Sequence, residues 1–322
     1  MSRLSLVGAL VAVVVVLGAV FVYKTQPLTA PQPTVRIGYF NQHLGSVPLF
    51  TAEEQGIFKK YGIKVELQPV ASSNLMTDEL VRNDIDVGVI SMIPVLNTEA
   101  KDPGRVKLLA ASVITKASPF DEVVVKSDSG ITSLTDPKIQ KIGVFPGTTA
   151  TNFLKEYLKR TGADVSKIEF VQMPPQNQLP ALQSGAVQAV HLYEPSLTLA
   201  FSKGEVTPIT QSIYATISDP SPIGGLALSG GFIQKNPELA KKTAQAIKEA
   251  IVFQNTHATE TRATITSRFM LDSQVVAKMN LLPYTTFEDL SVDSFNSFVD
   301  LLMSMGELKV KPDVANIIYR SM

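Results

Sequence analysis

Residues 141–195 read KIGVFPGTTATNFLKEYLKRTGADVSKIEFVQMPPQNQLPALQSGAVQAVHLYEP, and this stretch decides the fold. Lys141-Ile142-Gly143-Val144-Phe145 is a short apolar strand, and Pro146-Gly147-Thr148-Thr149 is a turn. From about Ala150 to Arg160 the apolar residues recur at helical spacing, and Thr161-Gly162 closes the helix. Ile168-Glu169-Phe170-Val171 is a second strand, Gln178 to Ser184 a short helix, and Ala186 to Leu192 a third strand. Strand and helix alternating in this way predict a parallel sheet covered by helices.

The same order occurs earlier in the chain. Thr34–Tyr39 alternates as a strand, and a helix follows from about Pro48 to Lys60, with Ser46 as N-cap. Ile63–Leu67 is the next strand, residues 74–83 the next helix with Ser72 and Ser73 as caps, and Asp86–Ile90 a buried strand. A further strand lies near Leu108–Ile114. After about residue 225 the pattern changes. Leu226–Ser229 with Gly231-Phe232-Ile233 reads as a last strand, and helices follow over 237–255, 259–269, 273–281, 286–290 and 293–304. Two α/β units with a helical tail imply that the chain crosses into a second lobe and returns.

Composition narrows the function. The 322 residues are 45% hydrophobic and carry 29 basic and 29 acidic side chains, so the total offers no electrostatic footprint for nucleic acid. There is no cysteine, which excludes disulfides, thiolate metal sites, a catalytic thiol and a lipid-carrying Cys. No HExxH, Gly-x-Ser-x-Gly or GxxxxGK[ST] motif occurs. From Leu4 to Tyr23 the chain is uncharged and apolar, between Arg3 and Lys24. About 20 such residues match a membrane-spanning helix, and the run exceeds the 7–15 residues of a usual signal core. The nearest small-residue cleavage site, Leu28-Thr29-Ala30, is followed by Pro31. The run therefore reads as a retained anchor, with a cleaved signal as the alternative. Residues 25–34 hold three prolines and read as an extended tether or a leader without a role.

In an open parallel sheet, ligands sit beyond the carboxyl ends of the strands. The residues at those ends are Asn41, Gln42 and His43, then Ser91 and Met92, then Thr115. In the later unit they are Gly147, Thr148 and Thr149 at a helix start, with Tyr193 and Glu194 after the last strand. Free amides and hydroxyls at a helix start can hold an anion, or simply cap the helix. Tyr193 offers an aromatic face and a hydroxyl, and Glu194 either a ligand contact or a cap. His191 reads as packed near the hinge and His257 as a surface residue.

Several landmarks stand in order: the Gly-Thr-Thr turn, Pro174-Pro175, Ala181-Leu182-Gln183-Ser184-Gly185 and Glu194-Pro195. With TAEEQGIFKKYGIKVEL at 51–67 and LVRNDIDVGVIS at 80–91, they resemble the binding proteins of ABC importers for sulfonates, taurine, nitrate and thiamine-pyrimidine precursors. The resemblance covers roughly residues 35–255. One departure is Gln188, where the family often has Asp. The resemblance implies a two-lobed type II periplasmic-binding fold with a hinge, preceded here by the N-terminal membrane helix. It implies lobe 1 over 35–120, lobe 2 over 121–222, and a return to lobe 1 with C-terminal helices over 223–322. The implied partners are a small-molecule ligand and an ABC permease with its ATPase, with no cofactor, metal or catalytic residue. A ligand sensor for a signalling partner is the second reading. A pyrimidine-synthase-like enzyme is the third, although that group carries a cysteine-rich motif and this chain has no Cys.

Overall fold

The computed structural model describes residues 32–320. The apolar run at 4–23 and most of the Pro-rich segment lie outside the described residues. Among the described residues, no helix is long and apolar enough to cross a membrane.

The chain opens with β1 (Thr34–Tyr39), α1 (Val47–Glu54), α2 (Ile57–Lys60), β2 (Lys64–Pro69), α3 (Ser73–Arg82), β3 (Val87–Ser91), α4 (Met92–Lys101) and β4 (Val106–Ile114). It continues through β5 (Asp121–Lys126), β6 (Lys141–Val144), α5 (Thr148–Arg160), β7 (Glu169–Gln172), α6 (Pro175–Gln183), β8 (Ala189–Tyr193), α7 (Ser196–Ser202), β9 (Val206–Pro208) and α8 (Ile213–Ile217). It ends with β10 (Ser221–Ser229), α9 (Gly230–Lys235), α10 (Pro237–Thr256), α11 (Ala258–Phe269), α12 (Ser273–Lys278), β11 (Tyr284–Thr286), α13 (Val292–Ser304) and α14 (Val314–Ile317).

Two sheets result. One has the order β11-β4-β10-β3-β1-β2, the other β7-β6-β8-β5-β9. β1 pairs in parallel with β2 and β3, and β6 with β7 and β8. β1 shows how the alternation works: Val35 and Ile37 are fully buried, while the Arg36 guanidinium meets the Asp86 carboxylate at 2.7 Å. β3, buried on both faces, carries the near-continuous apolar run expected of a central strand.

Three elements differ from the sequence reading. The helix expected over Pro48–Lys60 is broken where Gly56 turns left-handed (φ 66) between α1 and α2. Gly231–Ile233 is helical, because the Ser229 hydroxyl accepts the Phe232 N–H and starts α9 at once. Residues 284–286 form an edge strand on β4 rather than the start of a helix over 286–290. Tyr-Thr-Thr suits a pleated, half-buried edge, and the Thr286 hydroxyl donates to Asp289 in the turn that follows.

β10 returns antiparallel between β3 and β4 and bonds to both. At Gly225 the packing is so close that a Cβ would sit 2.1 Å from the Ala110 carbonyl oxygen. Gly225→Ala should therefore force strand separation. We expect a loss of about 1–3 kcal/mol, read as a lower urea midpoint with an unchanged slope.

Candidate functional site

Three helices of the described chain begin at one place. α3 starts at Ser73, α4 follows directly on Ser91, and α5 starts at Thr148. Ser73, Ser91 and Thr149 all line a single cavity between the two sheets. Each helix start carries unpaired N–H groups and a partial positive charge. The Thr149 side chain is buried, and among the described residues nothing bonds its Oγ1. A buried hydroxyl without a protein partner at a cavity wall is free to bond whatever enters the cavity.

The two sheets meet through these same helix starts. The Asn74 side chain, on α3, accepts the Thr148 N–H at 3.2 Å and so caps α5 from the opposite sheet's side. A Cβ on Gly147 would lie 2.1 Å from the Ser73 hydroxyl, so only glycine permits this approach. Asn152 on α5 bonds the Glu307 carboxylate, and Asn97 on α4 donates to the Glu307 carbonyl at 2.9 Å.

The rest of the cavity is aromatic. Phe40, Phe120, Phe145, Tyr193, Tyr214 and Tyr284 line it, all buried. The His43 ring stands 5.4–5.7 Å from the rings of Phe40, Phe120 and Phe145, and 6.3 Å from Tyr193. His43 Nδ1 accepts the Gly45 N–H at 3.0 Å, so the neutral ring carries its hydrogen on Nε2. The Tyr284 hydroxyl donates to the Gly45 carbonyl at 2.9 Å and ties β11 to the same loop. Ser112, Gly224 and Gly225 complete the floor. None of the lining residues is Asp, Glu, Lys or Arg. The cavity volume is about 50 Å³, room for a few waters or a small ligand.

Of the residues read from strand ends, His43, Ser91, Thr149 and Tyr193 line this cavity. The others sit elsewhere. Asn41 and Gln42 border an outer groove with Gln176 and Arg268, because the loop after β1 turns outward at Gln42 (φ 47). Met92 is fully buried behind the floor, as the first residue of α4. Thr115 caps a local turn by accepting the Ser118 N–H at 3.1 Å. Gly147 is spent on the approach to Ser73, and Thr148 faces the polar groove with Asn97 and Asn152. Glu194 is a cap: its carboxylate accepts the Thr198 N–H at 3.1 Å and the Thr198 hydroxyl at 2.7 Å. Burial nevertheless pushes its pKa up.

Sequence reasoning missed Ser73 as a lining residue, seeing only a helix cap. It also missed Ser112, the polar residue interrupting an apolar strand, and the aromatics at 40, 120, 145, 214 and 284. Aromatic side chains in apolar runs carry no sign of which face they take.

Two α/β sheets with a small enclosed cavity between helix starts define a chain of the periplasmic-binding-protein fold. The chain belongs to the NMT1-like family, whose model matches residues 28–269. A Brucella abortus protein named as a binding protein is 24% identical over 243 residues, 73% of this chain and 71% of its own. A Bacillus subtilis protein named for binding aliphatic sulfonates is 24% identical over 246 residues, 75% of this chain and 71% of its own. Solved structures share the fold. The alkanesulfonate-binding protein SsuA from Xanthomonas axonopodis pv. citri, bound to MOPS, has a TM-score of 0.73 at 19% identity, covering 91% of this chain and all of that one. The periplasmic aliphatic sulphonate binding protein SsuA from Escherichia coli has a TM-score of 0.69 at 19% identity, covering 91% of this chain and 94% of that one.

Burial pushes the His43 imidazole down to about 4. An unfolded chain protonates this ring near 6.5, so the unfolded state gains a proton the folded state refuses. Stability should fall by up to about 3 kcal/mol as the pH drops from about 6.5 to about 4. Glu122, pushed up to about 7 by burial beside Asp121 and Glu194, acts in the opposite direction. A difference measurement isolates His43. His43→Phe keeps a ring and removes the titration. Its stability relative to wild type, from urea unfolding at stepped pH, should rise between pH 6.5 and 4 and stay flat above 7.

Proposed function

We propose that this protein is the extracytoplasmic solute-binding component of an ABC importer, not an enzyme, and that its solute is a small oxyanion of the sulfonate or nitrate kind. The observation that carries the oxyanion is the meeting of three helix starts at a cavity without charged side chains. Helix N-termini and hydroxyls hold an anion with neutral donors, each already in place. The solute's charge then needs no arginine. The relatives named for aliphatic sulfonates and a Synechococcus elongatus relative named for nitrate import, of which this chain covers 35%, support the same class.

The ligand contacts in this reading are His43, Ser73, Ser91 and Thr149, with Tyr193 on the aromatic wall. The lobes are the two sheets with their helices, and the hinge is the pair of crossings between β4 and β5 and between α8 and β10. Closing about that hinge buries the solute. The apolar run at 4–23 serves as the membrane anchor. It keeps the binding domain within reach of the permease and its ATPase, which raises the effective concentration there. An anchored chain should stay with membranes through an alkaline carbonate wash, and removal of residues 1–24 should release it. Full-length protein found in the wash would overturn the anchor.

Thermal shift with sulfonates, nitrate and carboxylates should identify the solute. A ligand at a hundred times its dissociation constant adds about 2.7 kcal/mol. Thr149→Val then tests the helix-terminus site. The hydroxyl has no partner in the free protein, so the variant should melt like wild type. It should bind the oxyanion about tenfold more weakly by titration calorimetry. Unchanged affinity would remove the helix starts from the site.

A further inference from the structure

Helix α13 ends in a closure that fixes one carboxylate outside the cavity. Gly306 turns left-handed (φ 77), its N–H bonds the Met303 carbonyl at 3.0 Å, and the Glu307 N–H bonds the Leu302 carbonyl at 2.9 Å. These two bonds are the pair that locks a helix C-terminus around a left-handed glycine. Leu308 is buried, and the chain then runs through α14 to Ile318, which pairs with Leu108 on β4. Glu307 is thus held in the lobe of the first sheet.

Its contacts reach both lobes. Asn97 on α4 turns its amide nitrogen to two carbonyls, Ile93 at 3.1 Å and Glu307 at 2.9 Å, which ties the loop to the first lobe. Asn152 on α5, in the second lobe, donates its amide to the Glu307 carboxylate. Thr148 stands one turn earlier on the same face of α5 and borders the same groove. Burial pushes the Glu307 pKa up, and the bond from Asn152 opposes that rise. Phe298 of α13 also stacks on Phe153 of α5, with centroids 6.4 Å apart. Stacked apolar faces can slide as lobes rotate. An amide–carboxylate bond cannot, because it weakens steeply once its angle falls below about 120°. Asn97, Asn152 and Glu307 are not among the cavity's lining residues.

We propose that Glu307 is a positioning residue for solute binding: it clasps α5 to α4 and sets the fraction of the protein held closed before a solute arrives. The proposal rests on the two-lobed solute-binding reading above, not on the identity of the solute. The apparent dissociation constant is the intrinsic one divided by the closed fraction. Loosening the clasp therefore weakens every solute by one factor, without a change in any contact to it.

The chain has no cysteine, so paired spin labels can be placed without background. Leu67 on β2 and Gln176, just after β7, border one outer groove, so these two edge strands separate when the lobes part. Labels at Lys64→Cys and Lys167→Cys report that separation in the ligand-free, full-length protein. Adding Asn152→Ala should lengthen the mean distance, with the closed-to-open ratio lowered about tenfold. Alanine is the better helix former, so this variant should keep the fold. Asn152→Asp, which sets two carboxylates together, should open the lobes further. Combining it with Glu307→Gln restores the bond with donor and acceptor exchanged, and should return the short distance. Damage of a merely structural kind would not be repaired by that second change.

Calorimetric titration with methanesulfonate and with nitrate supplies the other readout. Asn152→Ala should weaken both, leaving the ratio of their affinities within about twofold of the parent's. An unchanged distance in Asn152→Ala, or an exchanged pair that fails to restore it, overturns the clasp and leaves the solute-binding reading standing. Weakening of one anion alone would place Asn152 in the site itself and overturn the clasp as well. If neither anion binds, the oxyanion reading falls, while the distances still decide the clasp.

Discussion

The cavity depends on β10 being wedged between β3 and β4. Its antiparallel pairing sets Gly224 opposite both Ser91 and Ser112. That register brings the start of α4 and the hydroxyl of β4 to one floor. The wedge demands glycine where the backbones crowd, and the same glycines leave open space above the floor. A larger side chain at 224 would press on the Ser112 hydroxyl at the floor, and one at 225 would meet the Ala110 carbonyl and spread the strands. One steric condition therefore sets both the sheet and the room for a ligand.

Above that floor the physics is of dipoles rather than charges. A buried arginine would need a permanent counter-ion whenever the site was empty, and leaving it unpaired is strongly unfavourable. Helix starts and hydroxyls carry only partial charges, which water satisfies when no ligand is bound, so an empty site costs far less. The orphan Thr149 hydroxyl is the one visible cost. The aromatic wall keeps the local dielectric low, which strengthens every such contact. Burial also pushes the tyrosine hydroxyls up, so Tyr193 and Tyr214 stay neutral. His43 stays neutral for the same reason. The surface facing a ligand thus keeps one charge state across the ordinary pH range.

Much of this was legible in the sequence where the signal is local. The β-α-β-α-β order shows in the spacing of apolar residues, and helix starts announce themselves by Ser, Thr and Gly after a strand. Of the residues that logic picks out, His43, Ser91, Thr149 and Tyr193 line the cavity. It failed where direction rather than position decides. Thr148 and Thr149 are neighbours at one helix start, yet a turn of about 100° per residue sends one to the outer groove and the other to the cavity. Asn41 and Gln42 follow the right strand but leave with an outward turn. Tyr214 comes from a five-residue helix after a loop, where no period exists to read. The Asp121–His191 pair was invisible because the two residues are 70 positions apart and meet only through strand pairing.

The interlobe cap links ligand to motion. α5 has no side-chain cap of its own, since its first residue follows Gly147. Asn74 supplies the missing acceptor from across the cleft. If the sheets part, that N–H turns to water, and Thr148 loses a fixed partner. In the proposed reading, an anion bound beside Thr149 would meet the next N–H groups of the same turn. Cap and proposed ligand would then act on one helix start from two sides, each favouring the closed arrangement for the other. A ligand that bound the open and closed arrangements equally could not shift them. One that needs both α3 and α5 binds only when they meet. On that reading, the contact that completes the helix would also be the contact that reports the ligand.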